Sequence, residues 1–221
     1  MAVVKTCETL RKKICERGAE YLGCSPDDVE FDGEKVVNLK TKEEITRKEI
    51  GNKVMCSSNA PLSATEAFSS PVSPPPFMVG IAEVEIDKET GVVEPIDYAA
   101  VVDCGTVVNP NLARVQTEGG IAQGIGMALY EDIIYSEKGK NYSNSFMQYK
   151  IPSRLDVGEI RVEFESSYEP TGPFGAKSIG EIVINTPSPA ISNAVQNAVG
   201  VIVRELPITA EKVYKGMAEK E

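Results

Sequence analysis

The 221-residue chain has no histidine and no tryptophan, and only 6% of its residues are aromatic. Without histidine, the Ser-His-Asp and Cys-His nucleophile schemes are excluded, and zinc loses its usual nitrogen ligand. Proton transfer then falls first to a carboxylate. The five cysteines, Cys7, Cys15, Cys24, Cys56 and Cys104, are odd in number, and no two have the close spacing of a metal site or redox dithiol. They are read as buried, reduced thiols, and they form no cluster that could hold an iron–sulfur centre. No apolar run is long enough to cross a membrane. The first five residues lack the layout of a signal peptide. A cytoplasmic protein with no membrane partner is expected. A basic face is missing too: 23 Lys and Arg are scattered against 33 Asp and Glu, for a net charge of −10. Nucleic acid is therefore not an expected partner, and the acidic balance serves solubility.

What is present is an ordinary globular composition, 42% apolar and 25% charged, and enough length for one large domain or two small ones. Residues 4–22 carry Cys7, Leu10, Ile14 and Tyr21/Leu22 at helical spacing, and Gly23 is a helix stop. Asp32-Gly33 between Val29–Phe31 and Lys35–Val37 predicts a hairpin. Residues 41–54 predict a short helix with Ile45, Ile50 and Val54 inward. Residues 57–76, opened by Ser57-Ser58-Asn59 and closed by a proline series, read as a stiff surface connector.

Beyond it the pattern turns to strands. Residues 83–87 alternate, 88–91 turn, and Ile96, Tyr98, Ala100 and Val102 alternate again, as do Ile160, Val162 and Phe164. Two helices are expected near the end. The first is capped by Ser188, has Pro189 at its first position and stops at Gly200, and the second starts near Thr209. The expected class is α+β, with mixed sheets and packed helices in two subdomains: residues 1–69, a small α+β unit with the connector, and residues 70–221, a larger α+β unit.

Two stretches in the larger unit invite a functional reading. Residues 116–130 read as a helix with an apolar stripe of Ile121, Ile125 and Ala128/Leu129, yet it holds Gly119, Gly120, Gly124 and Gly126. Each glycine costs about 1 kcal/mol relative to alanine in a helix, so something must compensate. Gly120, Gly124 and Ala128 make a bare face for close packing of another backbone or a flat cofactor. Alternatively, Gly119 and Gly120 sit in the entry turn, with N–H groups aimed at an anion. The spacing matches neither a dinucleotide fingerprint nor a P-loop. The second stretch is the loop Thr171–Glu181, in which three glycines lead to one carboxylate, followed at once by apolar Ile182 and Val183. Glycines let backbone approach a ligand closely, and a carboxylate so placed can be desolvated and act as a general base.

Taken in order, the stretches 102–110, 116–124, 172–181 and 205–213 resemble successive landmarks of the molybdenum hydroxylases, which include xanthine dehydrogenase and aldehyde oxidase. The resemblance covers nearly the whole chain, least in residues 24–70. It implies a molybdopterin-binding domain of xanthine dehydrogenase type in residues 70–221, with 171–181 as the catalytic loop. It makes Glu181 the catalytic base, taking a proton from a Mo-bound hydroxyl while hydride passes to a Mo=S sulfur. It also makes Gln116 a hydrogen-bonding partner of the pterin and puts the backbone of Gly180 beside the metal centre, with Ile179 and Ser178 in the same cofactor-binding loop. No side chain of this chain is implied as a metal ligand. The cofactor implied is molybdopterin, with its nucleotide left open between the simple form and a dinucleotide. Iron–sulfur and FAD centres are implied only on partner domains or subunits. The resemblance is to the C-terminal half of the molybdenum subunit. The partner expected first is therefore its N-terminal half, and the chain alone is expected to be catalytically incomplete. The 168–178 stretch looks more like the xanthine dehydrogenase branch, which implies a small heterocycle such as a purine as substrate. A non-catalytic pterin- or partner-binding assembly protein is the alternative.

Overall fold

The computed structural model describes residues 1–57 and 61–219, which fall into two units, Met1–Ser70 and Pro71–Glu221. The first unit opens with α1 (Ala2–Leu22), which Gly23 stops in the left-handed conformation expected of a C-terminal cap (φ 66°). Strands β1 (Val29–Phe31), β2 (Lys35–Asn38) and β3 (Glu44–Thr46) form an antiparallel sheet in that order. The hairpin lies where the sequence puts it. Asp32 is its corner: its Oδ1 accepts the N–H groups of Glu34 and Lys35 at 2.8 and 2.9 Å. The helix expected over 41–54 is shorter than that, since residues 44–46 pair with β2 as β3 and α2 runs Arg47–Met55. Thr46 fixes the boundary with a reciprocal capping box to Glu49. Ile45, Ile50 and Val54 do point inward, joining Phe31 and Val36 in a small core.

Residues 61–76 carry no helix or strand. Their first part lies along α1: Leu62 packs on the small core, Lys13 Nζ donates to Ser63 O at 2.7 Å, and Thr9 Oγ1 donates to Glu66 Oε1 at 2.8 Å. Ser58 and Asn59, read as the opening of the connector, lie outside the described residues. Four of the five free cysteines depart from the expected burial. Cys7 and Cys56 are exposed, Cys15 and Cys24 half-buried, and only Cys104 is buried.

The second unit is built on a three-stranded sheet, β4 (Phe77–Ile86), β5 (Val93–Asp103) and β6 (Glu159–Glu165). β4 and β5 are antiparallel, and β5 and β6 are parallel. The long crossover to β6 carries α3 (Pro110–Leu129) and an irregular stretch, 130–158, for which the sequence offers no pattern. Three further helices follow: α4 (Ile182–Asn185), α5 (Pro187–Val199) and α6 (Ala210–Ala218). Tyr98, Ala100 and Val102 face the core with Val162, Ile121, Ile125, Ile191 and Val195. Ile96 does not. The register between β4 and β5 slips at Glu83/Val84, and Ile96 is the unpaired extra residue, turned toward solvent. The other face of the sheet exposes Phe77, Val79, Ile81 and Val101. The first of the two late helices begins two residues earlier than expected. Thr186 is its N-cap and Pro187 its first residue, because the chain enters directly from α4, and Ser188 Oγ instead donates to Gly124 O at 3.4 Å. Gly200 and Thr209 act as the sequence predicts, the second through a bond from Lys212 N–H to Thr209 Oγ1 at 3.3 Å. The class is α+β with mixed sheets. Among the described residues, no helix is long and apolar enough to cross a membrane.

Candidate functional site

The glycine-rich helix begins earlier than its apolar stripe suggests. Asn109 caps α3, its Oδ1 accepting the N–H of Leu112 at 3.1 Å, and Pro110 takes the first helical position. Gly119 and Gly120 therefore lie inside the helix, which removes the entry-turn reading. Gln116 is also interior, so it does not cap its own helix end. A Cβ on Gly120 would stand 2.2 Å from Val183 Cγ2, and one on Gly124 would stand 2.7 Å from Pro187 Cγ. The bare face of α3 is thus filled by α4 and the start of α5, and close packing is what offsets the lost helix propensity. Gly119 differs: its Cβ position has no heavy atom within 4 Å.

That open position belongs to a cleft of about 720 Å³. One wall is a stripe of α3 at helical spacing, Gln116, Gly119, Gly120 and Gln123, with Val115 beside it. The other is the end of the loop and the turn after it: Gly180, Glu181, Ile184 and Asn185. The two walls are joined by one hydrogen bond, from Gln116 Nε2 to Gly180 O at 3.1 Å. Of the residues singled out in the sequence, Gln116, Gly180 and Glu181 meet in this cleft. Ser178 and Ile179 precede them in the loop but are not among its lining residues. Glu181 is exposed, while Val183 turns into the core. The described residues of this chain do not supply the desolvation expected for that carboxylate.

Two lining amides, Gln123 and Asn185, escaped the sequence reading. Gln123 stands seven residues after Gln116 on one helix face, and Asn185 four after Glu181. That spacing was the available signal.

The loop is fastened to the end of β5. Gly105 takes a left-handed conformation (φ 69°), and a Cβ there would stand 2.3 Å from Gly175 O, so only glycine fits the approach. Thr106 N–H donates to Gly175 O at 2.8 Å, and Lys177 N–H to Cys104 O at 2.7 Å. Asp103 shapes the turn that follows β5, its Oδ1 accepting the Gly105 N–H at 3.0 Å. It is also ion-paired to Lys177 and hydrogen-bonded by Ser167, both at 2.6 Å. The Lys177 ammonium, with the Ser167 and Gly105 donors, holds the Asp103 carboxyl down at about 2.

Two walls carrying amides, bare glycine backbone and one carboxylate, around a cleft open to one side, give this α+β unit a candidate ligand site. The particular family is the molybdopterin cofactor-binding domain: its model matches residues 1–158, and the chain belongs to it. An Escherichia coli K12 protein named "Probable hypoxanthine oxidase XdhD" is 35% identical over 95% of this chain and 22% of its own length. The aldehyde oxidoreductase molybdenum-binding subunit PaoC of the same organism is 29% identical over 96% of this chain and 28% of its own. Among solved structures, quinoline 2-oxidoreductase from Pseudomonas putida 86 superposes with a TM-score of 0.68 at 27% identity, over 96% of this chain and 28% of that one. The chain therefore spans 22% to 28% of the length of these relatives.

Proposed function

We propose that this chain is the part of a molybdenum hydroxylase that supplies one wall of the cofactor site and its proton acceptor. The observation that carries the reading is the meeting of Gln116, Gly180 and Glu181 across one cleft, joined by the Gln116–Gly180 bond. The cleft suits a flat, polar heterocycle. Gly119 and Gly180 leave bare backbone, with no heavy atom within 4 Å of either Cβ position. The Gln116, Gln123 and Asn185 amides offer both donors and acceptors, as a pterin ring requires. Ser178 and Ile179, just ahead of Gly180 in the loop, are taken as further contacts of the cofactor. Among the described residues, no cluster of His, Cys, Asp and Glu could hold a metal, so the metal of this site is the one its cofactor carries.

Molybdopterin, held by these residues, would supply the two-electron redox chemistry for hydroxylating an electron-poor carbon with oxygen from water. Glu181 takes the proton released as that oxygen attacks. Its position at the base of a one-turn helix, with Ile184 N–H bonded back to its carbonyl at 3.2 Å, gives the side chain a fixed origin. Gln116 fixes the loop from the other wall. The open side of the cleft and the exposed apolar sheet face of Phe77, Val79, Ile81 and Val101 support a site completed by the N-terminal half of the molybdenum subunit. Burial of Glu181 comes with that completion. Iron–sulfur and flavin centres, on further domains or subunits, would accept the electrons. The substrate proposed is a purine-like heterocycle, in keeping with the hypoxanthine oxidase in the name of the Escherichia coli relative.

Glu181→Gln in the assembled, molybdenum-loaded enzyme tests this reading. Turnover per molybdenum is expected to fall by roughly 10³-fold or more, the range of a lost general base, while molybdenum content stays at the wild-type level. Near-normal turnover would remove Glu181 from the mechanism and favour the non-catalytic assembly role.

A further inference from the structure

The proposed chemistry leaves Lys177 unused. Its side chain is only 9% exposed, and lysine is rarely buried without a partner. The partner is Asp103 at the end of β5, itself 22% exposed, with Nζ 2.6 Å from Oδ2. The other carboxylate oxygen accepts from Ser167 Oγ and from Gly105 N–H. The ammonium also stands 5.4 Å from the centre of the Phe77 ring on β4, within cation–π range. Asp103 thus gathers three separate stretches of chain at one point.

Lys177 is four residues ahead of Glu181. Downstream, the next tether is the bond from Gln116 Nε2 to Gly180 O. Between the two tethers, neither Ser178 nor Ile179 makes a hydrogen bond among the described residues. The course of residues 177–181 is set by those two fixed ends. A buried ion pair is a poor source of net stability, because desolvation offsets most of the attraction. It is a good source of fixed geometry.

We propose that Asp103 and Lys177 form a positioning latch, which fixes the upstream end of residues 177–181 and so holds the Glu181 carboxylate at the cleft wall. This rests on the reading of Glu181 as proton acceptor. Lys177 touches neither the cleft nor the reacting atoms, and it acts through the backbone it anchors. The Lys177 N–H also donates to Cys104 O at 2.7 Å, so backbone and side chain hold that end together. Loss of the ion pair weakens the anchor enough for the segment to shift about its Gly180 tether. Misplacing a reacting group by about 1 Å costs on the order of 100-fold in rate.

The test uses the assembled, molybdenum-loaded enzyme with Lys177→Met, Lys177→Arg, Asp103→Asn and Glu181→Gln. Kinetics are read per molybdenum, alongside hydrogen exchange of the 172–181 peptide. Lys177→Met is expected to lower kcat about 100-fold with KM within about twofold. Amide protection should be lost in 172–181 and kept in β5 and α3. Lys177→Arg should recover most of both, which a merely stabilising role would not require. Should Lys177→Met fail to fold, Asp103→Asn, which keeps acceptors for Ser167 and Gly105, carries the same expectation. Wild-type kcat per molybdenum in Lys177→Met beside an inactive Glu181→Gln overturns the latch and leaves the base intact. An active Glu181→Gln overturns the base instead. The latch then stands or falls on exchange, and unchanged protection of 172–181 in Lys177→Met overturns it.

Discussion

Gln116 Nε2 lies 3.1 Å from the carbonyl oxygen of Gly180, and that bond ties the glycine-rich helix to the residue before Glu181. Both residues are exposed, so water can replace either partner and the net contribution to stability is small, below about 1 kcal/mol. Gln116→Leu is therefore expected to leave the melting temperature nearly unchanged. In the assembled enzyme it should lower turnover and raise hydrogen exchange around Gly180. A large loss of stability would mean that Gln116 holds the fold and not the loop.

The two adjacent glycines of α3 should respond in opposite directions. Gly120→Ala drives a methyl to 2.2 Å from Val183 Cγ2, an overpacking expected to cost about 1–3 kcal/mol. Gly119→Ala meets nothing within 4 Å and should gain roughly 0.5–1 kcal/mol of helix propensity. Thermal melts of the two variants decide this. The stabilised Gly119→Ala protein should still bind cofactor less well, because its methyl narrows the cleft.

Acid should loosen the Asp103 anchor in a defined window. Its carboxyl is held at about 2 in the folded chain, against 3.8 ordinarily, chiefly by Lys177. A depressed carboxylate stabilises the fold above its unfolded value, and that contribution disappears as pH falls from about 4 toward 2. With partial solvent screening it amounts to on the order of 1 kcal/mol. Denaturant midpoints measured between pH 5 and pH 2 should fall less steeply in Asp103→Asn than in the wild type. Parallel curves would show that the carboxyl is not held down in solution.

In the first unit, the reciprocal cap between Thr46 and Glu49 sets where β3 ends and α2 begins. Thr46→Ala should destabilise that unit by about 1 kcal/mol. Serine at the same position should restore it, since its hydroxyl reaches the Glu49 N–H, now 3.2 Å from Thr46 Oγ1.

Helices bounded by strong local signals were legible in the sequence. Gly23, Gly200 and Thr209 end or begin helices where they were expected to, because caps are written into single residues. β3 was not legible: three residues, Glu44–Thr46, are too few to display a period of two. The start of α5 was misread because Ser188-Pro189 and Thr186-Pro187 are equally good cap signals. Only the incoming turn at Ile182–Asn185 decides between them. Ile96 kept the alternation of its strand in sequence but lost it in space, since a bulge is a property of the pair of strands. At the site, the cleft's glycine stripe and its carboxylate stood out locally. The Lys177–Asp103 pair did not, because 74 residues separate its members and nothing in either neighbourhood marks the other.

Those separations also bear on the order in which the molecule assembles. Gln116 and Gly180 are 64 residues apart, and Tyr98 and Thr186, whose hydroxyls bond at 2.8 Å beneath the sheet, are 88 apart. Contacts so distant in sequence carry a large loop-closure cost and form late. On a translating ribosome, α3 and the β4–β5 hairpin can emerge and settle while the loop that faces them is still unmade. The cleft thus has only one wall until residue 185 has left the tunnel, and a ligand that needs both walls can be held only after that.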